Sequence, residues 1–226
     1  MTDGQAHHLQ NVLRCREGDE ICVFNGQGGE YPAVITGMQR HRIGLQLAAK
    51  QEISRESPLS ILLAQGIARG ERMDFAIQKA VELGVAQIQP LHTEKSQRLP
   101  AARLDRKLQH WRAVARSAAE QSGRTLLPEV RSPQALADWL TADARTFAPG
   151  ERLLLSPTAE NGFQAQVPSP RACLLIGPES GLGEKEIALA LQAGFNAVRM
   201  GPRVLRTETA GVVAISALQV LWGDLG

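Results

Sequence analysis

Two stretches in the C-terminal part of the chain carry residue types able to hold a flat, polar ligand. They are Leu174-Leu175-Ile176-Gly177-Pro178-Glu179-Ser180-Gly181 and Met200-Gly201-Pro202-Arg203-Val204-Leu205-Arg206-Thr207-Glu208-Thr209-Ala210. Each follows a short apolar run with the character of a buried parallel strand and leads into a helical pattern, which places both loops at the carboxyl edge of one sheet. Open α/β sheets bind ligands at that edge. A glycine-rich loop there first suggests a phosphate cradle, because backbone N–H groups at a helix start attract anions. The spacing opposes one. A Walker loop counted from Gly177 needs its second glycine at Leu182, and a dinucleotide fingerprint counted from Gly181 and Gly183 needs its third at Glu186. Glu184 and Glu186 in the first helical turn already satisfy the positive helix end and would repel a phosphate. The expected ligand is therefore a nucleoside without phosphate. S-adenosylmethionine, an adenosine bearing a cationic sulfonium, fits that description. Gly177, Gly181, Gly183 and Gly201 either let the main chain approach a flat ring or serve turn geometry alone.

The elements that position these loops follow from hydrophobic rhythm. Residues 59–63 form an apolar run, residues 71–83 place Met73, Ala76, Ile77, Ala80 and Leu83 on one helical stripe, and residues 86–91 read as a strand. That is a βαβ unit. Helices are predicted over 104–122 and 134–142, with strands at 152–155 and 172–176. The closing segment repeats the pattern with a helix at 184–193, a strand at 196–200, and a strongly amphipathic helix at 207–222 with Ala210, Val213, Ala214, Ala217, Leu218 and Leu221 on one stripe.

The N-terminal fifty residues differ in texture. Leu9, Val12 and Leu13 suggest a short helix over 6–16, ended by Gly18-Asp19, and residues 21–24, 31–35 and 43–47 read as strands. Asn25-Gly26-Gln27-Gly28-Gly29 is a hairpin signal with residues that tolerate positive φ. A small β-rich module, read as a barrel, spans 1–52, and a polar stretch ending in Pro58 links it to an α/β domain over 58–226.

At 226 residues, 43% hydrophobic and 21% charged, the chain can bury a sizeable core and is neither disordered nor fibrous. No apolar run approaches the roughly 18 residues of a membrane span, and the N-terminus lacks a signal-peptide pattern, so a cytoplasmic location is expected. Cys15, Cys22 and Cys173 have no metal-like spacing and suit reduced thiols, Cys173 in the core. His7-His8 finds no third ligand, so no metal is expected. Net charge is only +2, yet 20 arginines stand against 5 lysines. Arginine suits bidentate phosphate recognition, so this balance permits nucleic acid, although coding composition explains it equally.

Taken together, the two C-terminal loops resemble the SPOUT class of methyltransferases, and in particular the ribosomal RNA small subunit methyltransferase E family. Further segments carry the likeness: Ala6-His7-His8-Leu9 through Val12-Leu13-Arg14, Gly18-Asp19-Glu20, the Asn25 to Gly29 turn, Gln78-Lys79-Ala80-Val81-Glu82-Leu83-Gly84-Val85, Glu120-Gln121-Ser122-Gly123-Arg124 and Leu127-Pro128-Glu129-Val130. The resemblance implies a PUA-like β-barrel at the N-terminus and an α/β domain with a parallel sheet and a C-terminal deep trefoil knot. It also implies a homodimer that methylates N3 of one uridine in 16S ribosomal RNA, free or in the assembled small subunit. S-adenosylmethionine is then expected against Leu175, Ile176, Gly177, Pro178, Glu179 and Gly181 of one loop and Met200, Gly201, Leu205, Arg206, Thr207, Thr209 and Ala210 of the other. The chain departs from the family pattern at Ser180, where glycine is usual, at Met200, where leucine is common, and in beginning later than many relatives, without their extra first strand.

Uracil N3 carries an imide proton and is normally paired, so its methylation needs an unpaired or extruded base. Arg206 is the candidate to stabilise charge developing on a uracil carbonyl oxygen. Glu208, with Glu179 behind it, is the candidate proton acceptor, since a partly buried loop carboxylate can have a raised pKa. A helix-stabilising role in the first turn, after a Thr207 N-cap, would also explain Glu208. Arg14, Arg16, Arg69, Arg72, Arg98 and Arg124 are candidate RNA contacts. The competing readings are a SPOUT enzyme acting on transfer RNA or a ribose 2′-hydroxyl, and a non-catalytic RNA-binding protein.

Overall fold

The computed structural model describes residues 6, 8–39, 42–96, 100–142, 150–163 and 168–226. They form two compact units: residues 1–55 together with 123–126, and residues 56–122 together with 127–226. The return of residues 123–126 to the first unit is a long-range pairing that no local pattern announces.

In the first unit β1 (Glu20–Val23), β2 (Tyr31–Gln39) and β3 (Arg42–Leu47) make an antiparallel sheet in the order β1-β2-β3. The Asn25 to Gly29 turn joins the first two strands as expected, with the Gln27 N–H donating to Asn25 Oδ1 at 2.9 Å and Gly26, Gly28 and Gly29 at φ of 82°, 91° and 71°. Isolated bridges from Glu30 to Gln51 and from Gln27 to Leu126 extend this sheet toward closure. The helix expected over 6–16 is only a π-helical turn, His8–Val12, because Arg14 adopts a left-handed backbone at φ 55° and the Cys15 N–H turns back to the Leu9 carbonyl. His7 lies outside the described residues.

The second unit is a parallel sheet covered on both faces. Its strands are β4 (Ser60–Gly66), β5 (Gln87–His92), β6 (Glu129–Val130), β7 (Gln134–Ala135), β8 (Glu151–Leu155), β9 (Arg171–Ile176) and β10 (Asn196–Val198). Among the described residues they are ordered β10-β8-β9-β4-β5-β6, with β7 also on β5, and every pair is parallel. The helices are α1 (Glu71–Glu82), α2 (Ala101–Ser122), α3 (Leu136–Ala142), α4 (Glu184–Gln192) and α5 (Thr207–Trp222). The two-residue strands β6 and β7 were absent from the hydrophobic pattern, being too short to alternate.

Strand β4 is buried on both sides, so successive residues feed opposite cores. Ile61 and Leu63 join Met73 and Ile77 of α1, Trp111 of α2 and Ile215 of α5. Leu62 and Ala64 face the other way, toward Trp139 and Leu140 of α3, Ala190 of α4 and Phe195, whose ring lies 6.1 Å from that of Trp139. Cys173 sits in this second core, and burial pushes its thiol up to about 12, which makes it chemically inert. Helix α5 departs from the amphipathic expectation. It buries Ala214, Ile215 and Leu218, yet Val213, Val220 and Leu221 are 38%, 55% and 50% exposed, so it is apolar on more than one face. Among the described residues no helix is long and apolar enough to cross a membrane, and no group of acidic, histidine and cysteine side chains is arranged to hold a metal.

Candidate active site

Because all strands of the sheet are parallel, the loops after β8, β9 and β10 leave from one edge. They enclose a cleft of about 440 Å³, a volume within the usual range for a small-molecule site. Leu155, Ile176, Val198 and Leu205 give it apolar walls, and the backbone of residues 177–182 and 199–201 gives it polar ones. The third wall, Ser156-Pro157-Thr158 after β8, had no sequence signal beyond the proline. Of the residues expected at the ligand, Ile176, Gly177, Pro178, Glu179, Gly181, Met200, Gly201, Leu205, Thr207 and Ala210 line the cleft. Leu175 does not: it is fully buried in the second core cluster, behind the wall. Arg206 and Thr209 are exposed outside the lining, beside the cleft.

The glycines act differently from one another. Gly177 sits where an added Cβ would come within 2.9 Å of the Leu182 N and 3.0 Å of the Gly181 carbonyl carbon, so the loop can fold back on itself only without a side chain there. Gly181 instead has open space but a φ of 68°, which is turn geometry.

A buried hydrogen-bond chain ties the loops together. The Thr207 hydroxyl donates to the Gly177 carbonyl at 2.6 Å, and the Gln65 side-chain amide donates to Thr207 Oγ1 at 2.9 Å and to the Gly66 carbonyl at 3.0 Å. Gln65 is fully buried and Thr207 is 6% exposed. Thr207 is thus not the N-cap that the sequence suggested. Arg206 occupies the cap with extended backbone and no capping side-chain bond, and the Thr207 hydroxyl is spent on the Gly177 carbonyl of the other loop. Gln65 was missed because a glutamine in an otherwise apolar strand has no periodic signal. Its one mark was being polar in a run of buried positions.

The electrostatics exclude an anionic ligand at α4. Glu186 accepts the Gly183 N–H at 2.9 Å and the Glu94 N–H at 2.8 Å, so the helix start already holds a carboxylate. Opposite, Glu179 accepts the Arg69 N–H at 2.9 Å and pairs with Arg72 at 2.9 Å, and Arg72 also lies 3.9 Å from Glu208. Burial opposes ionisation of Glu179, but the Arg69 N–H, its own N–H and the Arg72 guanidinium together hold its carboxyl below the usual range. The raised pKa expected for this residue is therefore reversed: an ion pair and N–H donors outweigh the burial. Glu208 Oε2 is buried with no hydrogen-bond partner among the described residues.

The candidate RNA arginines separate in the same way. Arg14, Arg16 and Arg69 are exposed; Arg72 is engaged with two carboxylates; Arg124 is 4% exposed, too buried to meet a phosphate; and Arg98 lies outside the described residues.

The profile of the RNA methyltransferase domain matches residues 55–219, and that of the RNA methyltransferase PUA domain matches residues 1–47. Together with the parallel sheet and its edge cleft, these define an RNA methyltransferase with an N-terminal PUA domain. Ribosomal RNA small subunit methyltransferase E of Buchnera aphidicola subsp. Schizaphis graminum is 36% identical over 228 residues, spanning 100% of this chain and 91% of the relative. Two solved structures are each 37% identical and cover 100% of this chain and 92% of their own. One is a putative methyltransferase of Legionella pneumophila in complex with bound SAM, at a TM-score of 0.93. The other is ribosomal RNA small subunit methyltransferase E of Neisseria gonorrhoeae bound to S-adenosyl methionine, at a TM-score of 0.91. This chain belongs to the ribosomal RNA small subunit methyltransferase E family.

Two measurements test the site's framework. Thr207→Val keeps shape but leaves the Gly177 carbonyl and the Gln65 amide short of a partner, and the expected loss is about 1–3 kcal/mol by urea unfolding. A loss near zero would deny the chain its role. The depressed pKa of Glu179 means its stabilisation is complete above the ordinary value of 4.5 and is lost as pH falls through the lower folded value. Glu179→Gln is thus expected to melt below wild type at neutral pH, with the gap closing under acid; a gap independent of pH would contradict the ion pair.

Proposed function

We propose that this chain transfers the methyl group of S-adenosylmethionine to N3 of a uridine in 16S ribosomal RNA, and that it does so as a homodimer through a knotted C-terminal domain. The observation that carries the reading is the cleft itself, walled by Leu155, Ile176, Val198 and Leu205 and by loop backbone, with a neighbouring helix start that Glu186 already caps and that therefore offers no free end to a phosphate. Solved relatives at 37% identity hold that cofactor.

Apolar Ile176 and Leu205 flank the adenosine, and backbone groups of residues 177–182 read its polar edge. In the transfer the sulfur–methyl bond breaks as the N3–methyl bond forms, the N3 proton leaves to a base, and S-adenosylhomocysteine remains. Placing the two centres in line can contribute about 7–11 kcal/mol in favourable cases, so a strong base is unnecessary. Arg206, exposed at the start of α5 and without an ion pair among the described residues, is positioned to meet a uracil carbonyl oxygen as charge develops on it. Glu208, with one carboxylate oxygen unpartnered, is the proton acceptor in this reading. Arg14, Arg16 and Arg69 supply phosphate contacts.

The knot belongs to the same reading: the segment after β10 returns beside the loop after β9 and is fastened there by Thr207. The exposed valine and leucine side chains of α5 support a second copy as their cover. Light scattering at micromolar concentration is expected to give twice the chain mass, and a monomer would overturn that part.

Wild-type protein given S-adenosylmethionine is expected to methylate small subunits isolated without the modification and to leave bulk transfer RNA untouched, with 3-methyluridine as the product on nucleoside analysis. Arg206→Ala is expected to retain cofactor affinity by calorimetry and to lose turnover at least tenfold. A methylated ribose, or product in transfer RNA only, would replace the reading with another SPOUT reaction. Failure to bind the cofactor would point to a non-catalytic RNA-binding protein.

A further inference from the structure

Helix α2 carries charge in a place where it works against folding. Arg103, Arg106 and Lys107 occupy its first two turns, and the first turn holds no acidic residue. The N-terminus is the positive end of the helix dipole, so Arg103 in the first turn is destabilising there, an effect that has fallen off by the second turn where Arg106 and Lys107 stand. Their spacing adds to this, because Arg103 with Arg106 is an i, i+3 pair and Arg103 with Lys107 an i, i+4 pair, both like-charged and on one side of the helix. Asp105 offers no relief, lying about 100° or more around the helix from each of them. His110, one turn further along the same side, is bonded to Asp74 of α1 at 2.7 Å. Among the described residues no ion pair takes up Arg103, Arg106 or Lys107, and both arginines are exposed.

The topology gives these cations an address. Helix α2 follows β5 and returns to β6, which is parallel to β5, so its N-terminus stands at the carboxyl edge of the sheet. The cleft opens at that edge, and so do the start of α1, where the Arg69 N–H and the Arg72 side chain bind Glu179, and the start of α5 with Arg206.

We infer that the Arg103, Arg106 and Lys107 side of α2 is a docking surface for the phosphate backbone of the substrate RNA, leading it to the cleft edge. The inference rests on the RNA reading proposed above and extends it to residues outside the Arg14, Arg16 and Arg69 set. Phosphates answer both penalties at once, screening the like charges from each other and from the helix dipole. A cluster costly to the free protein and neutralised by a polyanion is what an RNA-tracking surface requires.

The test compares wild type with the triple variant Arg103→Gln, Arg106→Gln, Lys107→Gln in binding to protein-free 16S ribosomal RNA across a salt series, alongside cofactor calorimetry and thermal melting. Removing three phosphate contacts is expected to weaken RNA binding about tenfold or more and to lower the slope of log affinity against log salt by about 2. Cofactor affinity is expected to stay unchanged, and the melting temperature to hold or rise. Unchanged RNA affinity and salt slope would overturn the docking surface, and a marked fall in melting temperature would assign these side chains to folding and overturn it as well. If wild type binds the RNA and the cofactor yet methylates nothing, the proposed reaction fails while the docking surface is still decided by the salt series.

Discussion

The hydroxyl of Thr207 bonded to the carbonyl of Gly177 is the contact on which the site depends. It joins the first residue of the last helix to the loop after β9, two segments separated by α4 and β10, and it does so with almost no exposure to water. In such surroundings an unmade bond is expensive, which holds the two loops against each other once the sheet has formed. Gln65 enforces the direction of the bond: its amide occupies the Thr207 oxygen as donor, so the hydroxyl proton can only point to Gly177. Gly66, next along the same strand, completes the fit, since a Cβ there would meet the Pro178 ring at 2.7 Å. The middle of the sheet and the floor of the cleft are therefore one construction.

Around that floor most of the charges are paired internally, the buried Glu208 Oε2 excepted. Glu186 holds two backbone N–H groups of two different loops, and Glu179 and Glu208 share Arg72. These carboxylates fix loop positions more than they add stability, because exposed ion pairs contribute little on their own. Their arrangement also sets the character of the cleft. The helix start beside the cleft already carries a carboxylate and the Arg72 guanidinium already has two partners, so neither is open to an anion, while the apolar walls favour a flat ring.

The carboxyl edge then divides its labour. Inside the cleft, apolar side chains and loop backbone predominate, with Glu179, Arg199 and Arg203 as the charged residues of the lining, which suits a flat, polar ligand. Outside it, at the starts of α1, α2 and α5, arginines stand in solvent, which suits a polyanion. A parallel sheet brings this about without special design: every strand ends at the same edge, so every following helix begins there.

Much of this could be read from residues alone. The strands β4, β5, β8 and β9 and the helices α1, α2, α4 and α5 were visible because each is long enough for its period to show. The two loops that line the cleft were legible as glycine-rich breaks after apolar runs. What escaped were features made by contacts distant in sequence. Gln65, the wall after β8, the pairing of Arg72 with two carboxylates, the burial of Arg124 and the return of residues 123–126 to the first unit leave no local trace. Local periodicity reports which face of an element is apolar, and so by itself it determined the layers of the fold and the edge at which the loops emerge. Which polar atoms meet across that edge, and so whether a glutamate is a free base or half of an ion pair, only the tertiary structure decided, because a carboxylate's protonation follows from neighbours that the chain brings up from far along its length.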